Sequence, residues 1–147
     1  MSVREHNRPL LQSKYARMCH MNIEMTWENG GLLKRMSGAL SEEEFLLSSE
    51  QVLADPRFKD IRFVINDLLQ VTGNDFSRGM LPYLAAIQYG SKATHSRCRV
   101  IFVSRDETIL ALIKDTLVTR DLDHFEVATA SSVEAARDWI KKQPVLN

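Results

Sequence analysis

An α/β fold is predicted by three features of this 147-residue sequence. Apolar stretches of strand length alternate with longer stretches at helical spacing, giving the order β-β-α-β-α-β-α-β-α. The run Arg97–Ser104, RCRVIFVS, is almost continuously apolar, as expected of a strand covered on both faces. The stretch Arg62–Leu84 reads as strand, polar loop and helix, the first half of a β-α-β unit. Strands alternating with helices imply a sheet that is largely parallel in its later part, joined by right-handed crossovers.

Taken in order, residues 1–19 form a basic arm, with Arg4, Arg8, Lys14 and Arg17 against Glu5 alone. Its charge is too sparse for a polybasic lipid or nucleic-acid tail, which leaves a frayed extension or a short packed helix. Residues 20–147 read as one domain. From Met21 to Trp27 apolar and polar residues alternate as in a half-buried strand. Glu28-Asn29-Gly30-Gly31 supplies residues able to take positive φ in a tight hairpin. Leu32–Met36 is the returning strand, and Ser37-Gly38 lets it end or bulge. Ser41 with Glu44 is a capping box, and Glu42 and Glu43 complement the helix dipole. Phe45, Leu46, Ser49, Val52 and Leu53 make the inward stripe, and Pro56 stops the helix at Asp55. After a short connector, Phe63, Val64 and Ile65 open the central strand. Gly73, Asn74 and Asp75 form the loop, and a helix begins near Asp75 or Phe76 and runs to about Ser91. Pro82 is tolerable there only in a first turn. Beyond the apolar strand, a helix spans Asp106–Thr119 with Ser104 or Asp106 as N-cap. Phe125–Ala128 is a last short strand. Ser131 or Ser132 caps a final helix with Val133, Ala136, Trp139 and Ile140 inward, closed by Pro144.

Composition bounds the function. Lys plus Arg equals Asp plus Glu at 19 each, so a basic face for nucleic acid is not expected. Zero net charge also permits self-association without being evidence for it, and a homodimer through the first hairpin or a helix face is compatible with the sequence. Cys19 and Cys98 are too few for a disulfide framework, and Cys98 reads as a small core residue. No run of about 18 apolar residues exists, so no membrane span is predicted. The apolar core of a secretory signal is missing from the N-terminus, which makes a reducing cytoplasmic setting the expectation. His6, His20, His95 and His124 lack zinc-site spacing, and neither a metal nor a cofactor is predicted.

The order of elements and several local phrases resemble the SpoIIAA-like branch of the STAS superfamily. The phrases are Ser37-Gly38 after a two-strand opening and Ala54-Asp55-Pro56-Arg57-Phe58 at the end of the first helix. Phe63-Val64-Ile65-Asn66-Asp67-Leu68, Val71-Thr72 and Asp75-Phe76-Ser77 follow, then a βαβα ending; the likeness covers roughly residues 20–142. It implies a mixed sheet of four or five strands with helices mainly on one side. It also implies a non-enzymatic protein that binds partners or small ligands. In the regulatory members a serine at the start of the helix after the central strand is phosphorylated by a partner kinase. The acidic residue of that motif falls on Asp75 and the acceptor position on Phe76. Phenylalanine cannot accept a phosphate, which leaves Ser77 and Thr72 as candidate acceptors.

The resulting functional expectation is a regulatory module that binds a protein partner through the Thr72–Gly79 loop and the helix that follows it, with Thr72, Asn74, Asp75, Phe76, Ser77 and Arg78 as the binding residues. Ser77 stands where a helix N-terminus would stabilise a phosphate. Asp75 reads as an N-cap rather than a catalytic acid, and Asp67 as a carboxylate orienting the loop. The rival expectation is a carrier of an apolar or anionic small molecule. Trp27, Met80, Tyr83, Tyr89 and Trp139 would line its pocket, although core packing is the simpler role for them. A receiver-like look to Val100–Ile140 is rejected, because no strands follow to carry the phospho-acceptor aspartate and the lysine.

Overall fold

The computed structural model describes residues 23–79, 98–115 and 125–144. These form a five-stranded sheet ordered as in the sequence: β1 (Ile23–Glu28), β2 (Gly31–Leu40), β3 (Phe63–Asn74), β4 (Cys98–Val103) and β5 (Phe125–Ala130). β1 and β2 pair antiparallel, and the remaining neighbours are parallel. Helix α1 (Glu42–Ala54) joins β2 to β3, α2 (Glu107–Ile113) lies between β4 and β5, and α3 (Val133–Lys142) follows β5. A sheet that always grows in one direction through crossovers of one hand places its crossover helices on one face. Accordingly Phe45 and Val52 of α1 and Ile109 and Ile113 of α2 share one core with Leu32, Val64, Leu68, Val100 and Phe102. The terminal α3 is free of that constraint. It covers the other face, where Ala136, Val133, Trp139 and Ile140 meet Leu33, Ile65, Ile101 and Val103. The single-sided arrangement thus describes the crossover helices, with α3 as the exception.

Local chemistry explains the boundaries. Gly30 takes the hairpin's positive φ of 80°. At Gly31 a Cβ would lie 2.1 Å from the Phe63 ring of the neighbouring strand, so only glycine fits that pairing without a shift. Ser37-Gly38 bulges rather than ends β2: the register slips there, Gly38 has φ 70°, and the strand continues to Leu40. The capping box is complete, with Glu44 N–H donating to Ser41 Oγ at 3.0 Å and Ser41 N–H to Glu44 Oε1 at 3.1 Å. Asp55 ends α1 and accepts from Arg57 N–H at 2.8 Å, capping a 3₁₀ turn over Pro56–Asp60 where a plain connector was expected. Asp106, not Ser104, is the N-cap of α2, and Ser132, not Ser131, caps α3. All six residues of β4 are buried, Cys98 among them.

The expected boundaries fail at two places. β3 does not turn after Leu68; it continues to Asn74, with half-buried Leu69, Val71 and Gly73 alternating with exposed Gln70, Thr72 and Asn74. No helix begins at Asp75 or Phe76: Asp75–Ser77 are irregular and Arg78–Gly79 form a turn. The remainder of that predicted helix, including Met80, Pro82, Tyr83 and Tyr89, lies outside the described residues. So do the basic arm, Cys19, the four histidines and the end of the helix predicted to reach Thr119.

Candidate functional site

The segment after β3 is exposed, yet it is tied down at several points. Asn74 Oδ1 accepts from Phe76 N–H at 3.1 Å, an Asx turn that halts the strand. Asp75 Oδ1 accepts from Glu42 N–H at 2.6 Å. Glu42 is the first residue of α1, whose leading N–H groups have no partner within the helix. Asp75 therefore caps a helix, as its residue type suggested, but the helix is α1, 33 positions back along the chain. Glu42 replies: its Oε1 accepts from Ser77 N–H at 2.9 Å and from the Ser77 hydroxyl at 2.6 Å. These charge-assisted bonds close a reciprocal clamp between the loop and the first turn of α1.

Beneath the clamp, Phe76 turns inward. Its ring meets Phe45 at 5.6 Å between centroids, tilted by 52°, and Phe45 meets Phe102 of β4 at 6.3 Å. Three rings thus run from the surface loop to the centre of the sheet. Arg78 reaches Asp115 at 3.7 Å, but both side chains are well exposed and the pair adds little to stability. Thr72 stands on the exposed side of β3, outside the clamp. The structure thus brings Asn74, Asp75, Phe76, Ser77 and Arg78 together, with Thr72 a short way back along the strand.

Beside the segment is an open cleft of about 570 Å³. Phe76, Ser77 and Arg78 form one wall, and Glu107, Thr108, Ala111, Leu112 and Asp115 form the other. A second hollow of about 610 Å³ opens at the β2 bulge, lined by Glu24, Arg35, Ser37, Asp67 and Gln70 among others. Asp67 lies within β3 rather than at its end; it accepts from Leu69 N–H at 3.0 Å and sits 3.7 Å from Arg35. It does not orient the loop. Among the described residues no cluster of three or more His, Cys, Asp or Glu is placed to hold a metal, and no helix is long and apolar enough to cross a membrane.

Glu42 is the participant that the sequence did not reveal. It was legible as a dipole-complementing glutamate, while its loop partners depend on topology alone. Lys34 was also missed. It lies in β2 at 1% exposure, beneath α1, where a lysine is not expected.

No family model matches the sequence, and no curated protein matches it. Among solved structures the chain is similar to the anti-sigma factor antagonist SpoIIAA in its unphosphorylated form. The two share 10% identity at a TM-score of 0.56, over 82% of this chain and 99% of that one. An uncharacterized DUF3478-family protein with a SpoIIAA-like fold from Shewanella loihica PV-4 is matched at 16% identity and a TM-score of 0.46. That match covers 80% of this chain and 90% of the other. At such identities a likeness speaks to the fold. The mixed sheet, its crossover helices on one face and the match over nearly all of SpoIIAA agree with what the resemblance to STAS domains implied: the chain has the SpoIIAA-like fold.

Proposed function

We propose that this chain is a non-enzymatic regulatory module that binds a protein partner through Thr72–Gly79 and the adjoining cleft. The observation that carries this reading is the clamp. A loop that is exposed and yet held by Glu42 and seated on Phe45 presents its surface in one arrangement, which lowers the ordering cost of binding. One solved structure similar to the chain is that of an anti-sigma factor antagonist, which is a regulatory role. Ser77 and Thr72 are the proposed phosphorylation sites. A phosphate on Ser77 would replace a hydroxyl proton given to Glu42 and set a dianion beside Glu42 and Asp75. Like charges at that distance repel, so modification would open the clamp rather than tighten it. The module is proposed to act in the cytoplasm, and a homodimer is compatible with it.

The test is a pull-down from lysate with wild-type chain, Phe76→Ala and Ser77→Asp. Both variants are expected to lose the captured partner at least several-fold while circular dichroism stays unchanged. Equal capture by all three would refute the loop as the binding surface. A second reading, a small-molecule carrier, is favoured by the cleft alone, whose volume falls in the range of ligand sites. Native mass spectrometry of the purified chain would then show retained ligand mass that Leu112→Arg abolishes.

A further inference from the structure

Lys34 and Asn66 are register partners on β2 and β3, and both are buried on the face that α1 covers. The Lys34 ammonium donates to Ser48 Oγ at 2.7 Å and weakly to Ser49 Oγ at 3.5 Å, and lies 4.7 Å from the Phe45 ring centroid. Both hydroxyls already give their protons to the Phe45 carbonyl, at 2.7 and 3.1 Å, so towards Lys34 they act as acceptors. No carboxylate is paired with Lys34 among the described residues, and an ammonium carries three donors. One strong and one long bond leave that capacity unfilled. On the neighbouring strand Asn66 Oδ1 is buried, at 3% residue exposure, without a hydrogen-bond partner among the described residues.

These two unmet demands line the same chamber. It is walled by Phe45, Ser49, Val52, Phe58 and Val64 besides Lys34 and Asn66, with a volume of about 10 Å³. That is room for about one water and for nothing larger. An unsatisfied buried amide oxygen is costly to keep from water, and a bridging water would largely remove that cost. We propose that this chamber is a single-water site, in which the water accepts from Lys34 Nζ and donates to Asn66 Oδ1, its second hydrogen directed at Ser49 Oγ. The bridge makes the underside of α1 and the β2–β3 pair one hydrogen-bonded unit. It also explains how a lysine can be held in the core by hydroxyls rather than by an acid.

The site is tested on the full chain by water-oxygen magnetic relaxation dispersion, which counts long-lived internal waters. Asn66→Leu is expected to lose one such water relative to wild type, and an unchanged count would overturn the proposal. Should Asn66→Leu fail to fold, a high-resolution crystal structure of the wild type decides. A solvent peak within about 3.2 Å of both Lys34 Nζ and Asn66 Oδ1 supports the bridge. An Asn66 amide bonded directly to Lys34, or a chamber without such a peak, refutes it.

Discussion

Lys34 sets burial directly against charge. Its surroundings take the amine out of water, and desolvation pushes its pKa down from 10.5 to about 7. The unfolded chain keeps the same proton up to about pH 10.4. Between these values the unfolded state binds the extra proton, so stability rises as pH climbs from about 7 towards 10.5 and gains nothing from this group below 7. The slope is at most about 1.4 kcal/mol per pH unit. Urea denaturation at pH 6.5 and pH 9 is expected to show this rise in wild type and to show it much reduced in Lys34→Met. The variant is also expected to exceed wild type in stability at pH 6.5, since a thioether fills the space without a charge to desolvate. Equal pH dependence in both chains would show that the amine titrates as in water. Nothing in the phrase Leu32-Leu33-Lys34-Arg35-Met36 announces this burial. Alternation puts Lys34 with Leu32 and Met36, but only the meeting of Ser48 and Ser49 with that strand makes the position tolerable.

At the scale of elements, the ends of the helices do most of the positioning. Ser41→Ala removes one half of the capping box and is expected to cost about 1 kcal/mol in urea denaturation. Because Glu42 follows directly, the same variant is expected to speed hydrogen exchange at Ser77 N–H, a readout that a purely local helix defect would leave alone. At the other end of the fold, α3 is tied to the hairpin by Arg137, which donates to both Glu28 carboxylate oxygens at 2.8 and 2.6 Å. That bidentate bond holds the Glu28 carboxyl below its ordinary range, so the tie persists at neutral pH and is lost as pH falls through the lowered value. Glu28→Gln is expected to raise amide exchange across α3 while leaving α1 protected. The capping box and the Pro56 stop could be read in the sequence, and the caps of α2 and α3 narrowed to two residues each, because each depends on residues within a turn. The length of β3 was misread because Gly73 and Asn74 are turn formers by type, although the in-out alternation continues through them. Asp75 and Glu42 are neighbours only once β3 lies beside β2.

For the molecule as a whole, the sheet divides the interior into two cores of unequal cover. Among the described residues, two crossover helices cover one face and α3 covers the other. Trp139 is the largest apolar contributor on that second face, and the Arg99 guanidinium lies 5.9 Å from its ring centroid. Trp139→Ala is expected to cost about 2–3 kcal/mol and to expose Leu33 and Ile101 to a hydrophobic dye. Unchanged dye binding would show that α3 covers this face without the indole. The overall architecture was legible in the sequence because strand and helix periods alternate cleanly along it. The side on which α3 packs was not legible, since a helix after the last strand has no crossover to fix its hand. Finally, Phe45 belongs at once to the ring series from the loop and to the wall of the Lys34 chamber. Whatever presses on Phe76 from outside therefore leans on the ring that faces the ammonium, and a ring attracts the charged form of an amine more than the neutral one. Were the proposed partner to move that ring, occupancy at the surface and protonation in the interior would become linked quantities. By reciprocity, a partner that shifts this ring would change the acidity of Lys34, and acidity would in turn tune the partner's grip.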